Sequence, residues 1–199
     1  MPFTIPIVLV VLGYTWVVEP LAPNWVRFVP TVAVIALAVA RALRTGEWGL
    51  SRSAFLPALR WATALTAAAM LAIGVAGWQL GTWHDRRALL GNFAVLIPWG
   101  LGQQFALQTV LLREAQGVVS SRTAIWLAAL VFSVLHLPNP FLAPVTFAGA
   151  LAWCWIYDRY PNVIPLGLSH AVATLAILYA FDDPITGRLR VGQAYLTLR

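Results

Sequence analysis

Seven times along this chain an apolar run that is long enough, or nearly so, to cross a bilayer is closed by arginine or proline. The runs cover residues 3–18, 26–42, 59–80, 89–112, 123–136, 141–157 and 163–181. A spanning helix takes about 20 residues, so 199 residues hold these runs, short loops and no second, soluble domain. The expectation is an all-α, polytopic integral membrane protein with about seven transmembrane helices, residues 1–199 forming one membrane domain. The first run has no basic residue ahead of it, since the first is Arg27, and no clean small-residue cleavage site after it. It therefore reads as a retained helix and not as a signal peptide. Pro20 and Pro23 end it. His84, Asp85, Arg86 and Arg87 form a charged turn in which His84 is solvated, and 182–199 reads as a mixed tail at the interface.

Composition excludes the competing classes. Only 10% of residues are charged and 60% are hydrophobic, against about 25% and about 45–50% in soluble domains. There are too few charges to clothe a water-facing surface. The net charge of +6 comes from thirteen arginines scattered singly, which build no basic face for nucleic acid. The partners implied are the lipid bilayer and whatever the bilayer delivers. Every basic residue is Arg, and Ala is abundant, which suggests a GC-rich coding sequence and a bacterial inner (plasma) membrane. The arginines divide seven to six between the two sides, so only the dense loop 41–60 favours an N-terminus inside. A single cysteine, Cys154, excludes an internal disulfide and a Cys-based metal cluster. No cofactor and no metal are expected, because two histidines lack the usual third zinc ligand.

Polar side chains at membrane depth are costly unless they face a partner or a wet cavity. The fourth run carries Gln103, Gln104 and Gln108, the fifth ends in Phe132-Ser133-Val134-Leu135-His136, and the seventh holds Ser169, His170 and Thr174. Depths follow from the helical rise, measured from the face bearing Arg113, Arg122 and Arg159. Gln104 lies about 12–13 Å in, His170 about 12 Å and His136 about 17–21 Å. Three helices thus bring hydrogen-bonding groups to within about two turns of one depth, as one buried polar pocket requires. Each residue also has a plainer reading. Glutamine often joins transmembrane helices, a lone histidine can be a structural hydrogen bond, and Trp153 and Trp155 can be packing or interface anchors. Glu114 shares a face with Gln103 but projects about 16 Å further along the helix, outside the pocket. Ser133 and Ser169 lack a Gly-x-Ser-x-Gly setting, and Cys154 has no partner on its face, so neither supplies a nucleophile.

These residues resemble the CPBP membrane proteins, the type II CAAX prenyl endopeptidases and the bacteriocin-processing or self-immunity proteases also called the Abi family. Their signature is Glu-Glu-x-x-x-Arg on one helix, Phe-x-x-x-His on the next, and a later His followed four residues on by Asn or Asp. Here Gln103, Gln104 and Gln108 stand in the first motif, Phe132 to His136 matches the second, and His170 with Thr174 stands in the third. Thr146-Phe147-Ala148-Gly149, Trp155-Ile156-Tyr157 and Pro161-Asn162 add to the likeness, which covers residues 90–181 and, weakly, the Arg-rich loop before the third run. The resemblance implies an intramembrane endopeptidase that hydrolyses a peptide bond in a membrane-delivered protein or peptide. Gln103, Gln104, His136 and His170 take the catalytic positions, with Gln108, Thr174 and Asn139 as substrate- or oxyanion-binding groups. In the family the first glutamate activates the attacking water. An amide accepts no proton at neutral pH, and losing such a base costs about 10²–10⁴-fold. Two outcomes stay open: a redesigned site with His136 or His170 as base, or an inactive member that binds a partner, as an immunity or chaperone-like protein would. A transporter would favour discontinuous helices in paired halves, and Pro138-Asn139-Pro140 is the sole candidate break.

Overall fold

The computed structural model describes residues 1–22, 26, 28–83 and 89–198. Pro23, Arg27, the charged turn at 84–87 and Arg199 lie outside the described residues. Among the described residues the regular elements are helices: α1 (Thr4–Gly13, continued by a π-helical turn Tyr14–Val18), α2 (Phe28–Thr45), α3 (Arg52–Leu80) and α4 (Leu89–Ala106). A π-helical stretch, Leu107–Leu112, joins α4 to α5 (Arg113–Gln116). Then follow α6 (Ser121–Val134), α7 (Leu142–Arg159), α8 (Val163–Ala180) and three short tail helices. These are α9 (Asp183–Thr186), a 3₁₀ turn Gly187–Leu189, and α10 (Gly192–Leu196).

Four helical segments are long and apolar enough to cross a membrane: Phe28–Thr45, Arg52–Leu80, Gly91–Gln116 and Val163–Ala180. Thr4–Val18 and Ser121–Val134 are apolar but shorter. Among the described residues, then, four helices meet both length and hydropathy, and these leave the expected count of about seven unconfirmed. The helices also begin and end differently from the runs. Arg52 and Arg60 belong to α3, because a helix can extend past its apolar stretch and carry its arginines beyond the hydrocarbon. The fifth run stops being helical at Val134, and His136 sits in the turn that follows.

Burial sorts the helices. More than half of α8 is buried, against about a tenth of the most apolar part of α3, which puts α8 in the interior and α3 at the outside. α8 packs on α4 and on α3, and α6 packs on α7. Small residues allow the closest approaches, as expected where lipid supplies no hydrophobic drive between helices. A Cβ on Gly100 would stand 2.6 Å from the Gly167 carbonyl, and one on Gly77 would stand 2.5 Å from the Ala180 carbonyl. All six residues of the π-helical stretch Leu107–Leu112 are buried.

Side chains secure the helix ends. Ser120 Oγ accepts from the Thr123 N–H to start α6, and Asn162 Oδ1 accepts from the Ile164 N–H to start α8. At one membrane face the loop before α3 docks on the loop before α8. The Val163 N–H donates to the Gly49 carbonyl at 2.8 Å, the Ser51 N–H to Pro161 at 3.1 Å, and Asn162 Nδ2 to the Ser51 carbonyl at 3.0 Å. Gly49 has φ +63°, and a Cβ there would meet the Tyr157 hydroxyl at 2.6 Å. The tail folds back against the α6–α7 turn, where the Gly192 N–H donates to the Leu137 carbonyl at 2.8 Å.

Candidate active site

The polar residues of α4 and α8 meet. Gln108 Nε2 donates to Gln104 Oε1 at 2.9 Å, and Gln104 Nε2 lies 3.2 Å from His170 Nδ1. Gln104 and Gln108 are fully buried and His170 is 7% exposed, so these are interior contacts and not a solvated face. The close crossing at Gly100 and Gly167 stands one turn from Gln104 and His170 respectively, and lets the two side chains bridge the helices. The Cys154 thiol on α7 lies beside the Gln108 amide. Gln108 Oε1 is buried and has no hydrogen-bond partner among the described residues.

His136 enters from the α6–α7 turn. Its Nδ1 lies 2.6 Å from the Phe132 carbonyl. The Phe132 ring is 4.8 Å from the His136 ring and 6.2 Å from the His170 ring, between centroids, so one aromatic side chain touches both histidines. On the other side of His170 the Trp153 indole lies parallel to the imidazole, with centroids 4.7 Å apart and planes 7° apart.

Hydrogen-bond chemistry assigns the two rings opposite tautomers. A carbonyl oxygen can only accept, so His136 Nδ1 carries the proton and its Nε2 keeps a free lone pair. An amide nitrogen can only donate, so His170 Nδ1 is the acceptor and the proton sits on its Nε2. One imidazole is thus arranged to take a proton and the other to give a hydrogen bond.

The remaining expected residues fall in different places. Gln103 is half-buried, and Thr174 is half-buried one turn beyond His170. Among the described residues no hydrogen bond joins either to the Gln104–His170 group. Asn139, expected among the substrate- or oxyanion-binding groups, is bonded to the tail and to the start of α7. It is fully buried, but both its amide hydrogens are engaged, by the Thr186 and Arg190 carbonyls at 2.9 Å each. Its Oδ1 accepts from the Phe141 and Leu142 N–H groups at 3.0 and 2.9 Å. Both polar hydrogens are taken in this arrangement, and the side chain ties the start of α7 to the tail. Glu114 lies away from the pocket, as its spacing requires, and its carboxylate accepts from the Phe3 and Thr4 N–H groups at 2.9–3.2 Å.

Sequence reasoning missed Trp153 as part of this arrangement and read it as packing. Its Nε1–H donates to Ser169 Oγ at 3.0 Å, and neither partner lies near it in sequence. The one available signal was the buried depth that Trp153 shares with His170.

Residues 86–176 match one family model, described as type II CAAX prenyl endopeptidase Rce1-like. That segment nearly coincides with the 90–181 marked out by the three motifs. No curated protein and no solved structure matches the chain.

Proposed function

We propose that this chain, which belongs by its segment 86–176 to the Rce1-like type II CAAX prenyl endopeptidases of the CPBP family, is an intramembrane endopeptidase working without the family's glutamate. Its substrate is a protein or peptide delivered through or at the membrane. The observation that carries this reading is the pair of contacts at the two Nδ1 atoms, a backbone carbonyl on His136 and an amide nitrogen on His170, from which the opposite tautomers are inferred. The free Nε2 of His136 takes a proton from water as the water attacks the scissile carbonyl carbon. His170 Nε2–H donates to the carbonyl oxygen as negative charge develops there. The protonated His136 then gives its proton to the leaving amine nitrogen, so the peptide C–N bond breaks and both histidines return to their starting forms. Half-buried Gln103 orients the water or the carbonyl. Gln104 and Gln108 hold the His170 tautomer, and Thr174 lines the substrate side.

A second reading is favoured by one specific feature. Where the family carries Glu-Glu and Arg, this chain carries three uncharged glutamines, and Gln104 and Gln108 bond each other across the positions of the second glutamate and the arginine. Removing one member of a buried charge pair strands the other, whereas replacing the whole set does not. A family member that has given up catalysis and retains its cavity for binding would need the same replacement. Two variants separate the readings. His136→Ala removes the base and abolishes cleavage while the protein remains folded and inserted. Gln103→Glu restores a carboxylate at the family's position and raises peptidase activity above wild type if the site is an enzyme's. If neither change alters cleavage of any membrane substrate, the binding reading stands.

A further inference from the structure

A hydrogen bond to Nδ1 fixes one atom of His170 but leaves the ring plane free to swing, because the torsion to an imidazole is broad. The indole of Trp153 removes that freedom by lying flat against the ring, 4.7 Å away and within 7° of parallel. The indole is itself held. Its Nε1–H donates to Ser169 Oγ at 3.0 Å, Ser169 Oγ lies 2.7 Å from Thr66 Oγ1, and Thr66 Oγ1 donates to the Ala62 carbonyl at 2.7 Å. Room for the indole is left on its own helix, since a Cβ at Gly149 would stand 2.9 Å from the Trp153 ring. The relay therefore runs from α3 through α8 to α7 and back to the residue after Ser169.

We propose that Trp153 is the positioning residue for His170, keeping its ring plane such that Nε2–H meets the developing oxyanion, and that Ser169 and Thr66 hold Trp153 in that pose. The role in catalysis rests on the peptidase reading above, whereas the positioning does not. The far end of the relay is reachable without touching the pocket. Thr66 and Ser169 line a groove of about 250 Å³ between α3 and α8, along with Leu59, Met70 and Pro165.

The test uses the full-length protein in detergent or vesicles, with ¹⁵N-histidine NMR to read the His170 tautomer and peptidase kinetics beside it. Wild type shows a single Nε2–H form. Trp153→Phe keeps a ring but no N–H, Ser169→Ala removes the acceptor, and Thr66→Val removes the outer hydroxyl. Each lets the His170 ring swing away from the Gln104 amide that sets its tautomer, and so gives a mixed His170 tautomer, with Thr66→Val the mildest. Misplacing a reacting group by about 1 Å costs up to about 10²-fold, so kcat falls about ten- to hundredfold in Ser169→Ala while KM stays within about threefold. Ser169→Thr keeps the hydroxyl, has the groove beside it for the added methyl, and recovers the single tautomer with most of the lost kcat. The proposal is overturned if Ser169→Ala and Trp153→Phe, with wild-type melting, leave the His170 spectrum unchanged. Should a variant melt early, Thr66→Val decides the matter in the same way. A wild type that holds the single tautomer, loses it in Ser169→Ala and cleaves nothing supports the positioning and defeats the peptidase reading.

Discussion

The crossing of α4 and α8 brings Gln104 to His170, so the sharpest perturbation is a single methyl at that crossing. In Gly100→Ala the new Cβ would lie 2.6 Å from the Gly167 carbonyl oxygen and 3.2 Å from the Ala171 nitrogen. Contacts under 3.0 Å are not tolerated and ordinary contact begins at 3.4 Å, so the helices must part by about 0.4–0.8 Å. Gln104 stands one turn further on the same helix and moves with it. Its 3.2 Å approach to His170 then opens to about 3.6–4.0 Å, which is no longer a hydrogen bond. Overpacking costs about 1–3 kcal/mol and the lost bond about 0.5–1.5 kcal/mol. The better helix propensity of alanine returns about 1 kcal/mol, for a net loss of about 0.5–3.5 kcal/mol. Gly91→Ala is the control on the same helix, because a Cβ there meets nothing within 4 Å, and only the propensity gain remains. Unfolding followed by tryptophan fluorescence in micelles should place the two variants about 1.5–4.5 kcal/mol apart, with the His170 tautomer disturbed only in Gly100→Ala. Equal stability of the two variants, with an unchanged His170 spectrum, would refute the argument that this crossing brings Gln104 to His170.

Other changes test separate parts of the site. Gln104→Glu puts an acceptor where a donor stood, so His170 must move its proton to Nδ1. NMR should show that tautomer, and cleavage by the proposed route should cease. Asn139→Ala strands two carbonyls and two N–H groups that the side chain satisfies. Loss of these bonds should destabilise by about 2–4 kcal/mol and free the tail to proteolysis. Glu19 lies outside the spanning helices, and burial holds its carboxyl above the usual 4.5 despite the opposing pull of Arg190. The folded chain therefore binds the extra proton between the two values, and stability falls as pH rises through that window. Glu19→Gln should be the more stable protein above the window and should converge with wild type below about pH 4.5, as denaturation at a series of pH values would show.

Much of this arrangement can be read from the chain alone. Gln104 and His170 come to one depth because α4 and α8 are regular helices entered from one face, and a rise per residue suffices to match them. The uncharged runs mark the helices for the same reason. Depth arithmetic fails where the chain leaves the helix. His136 is carried by a turn after Val134, and its partner is a backbone carbonyl that every sequence possesses. Asn139 looked like a ligand-binding group because its type and its place beside the site allow it. What the chain alone does not reveal is the tail, 47 and 51 residues away, whose carbonyls take its hydrogens. Trp153 was hidden differently, since an apolar face of α7 predicts packing without saying that one packed ring lies on a histidine. Length and pattern also differ at α6, whose 14 residues are apolar yet shorter than the four longest apolar helices.

The central claim is that the His136–His170 pocket cleaves peptide bonds. It is tested most directly by comparing the membrane-proteome N-termini of cells making the wild type, the His136→Ala/His170→Ala variant, or no protein. The account predicts at least one new N-terminus present only with the wild type, which would also identify the substrate. Three matching profiles, with both proteins expressed and inserted, would contradict it.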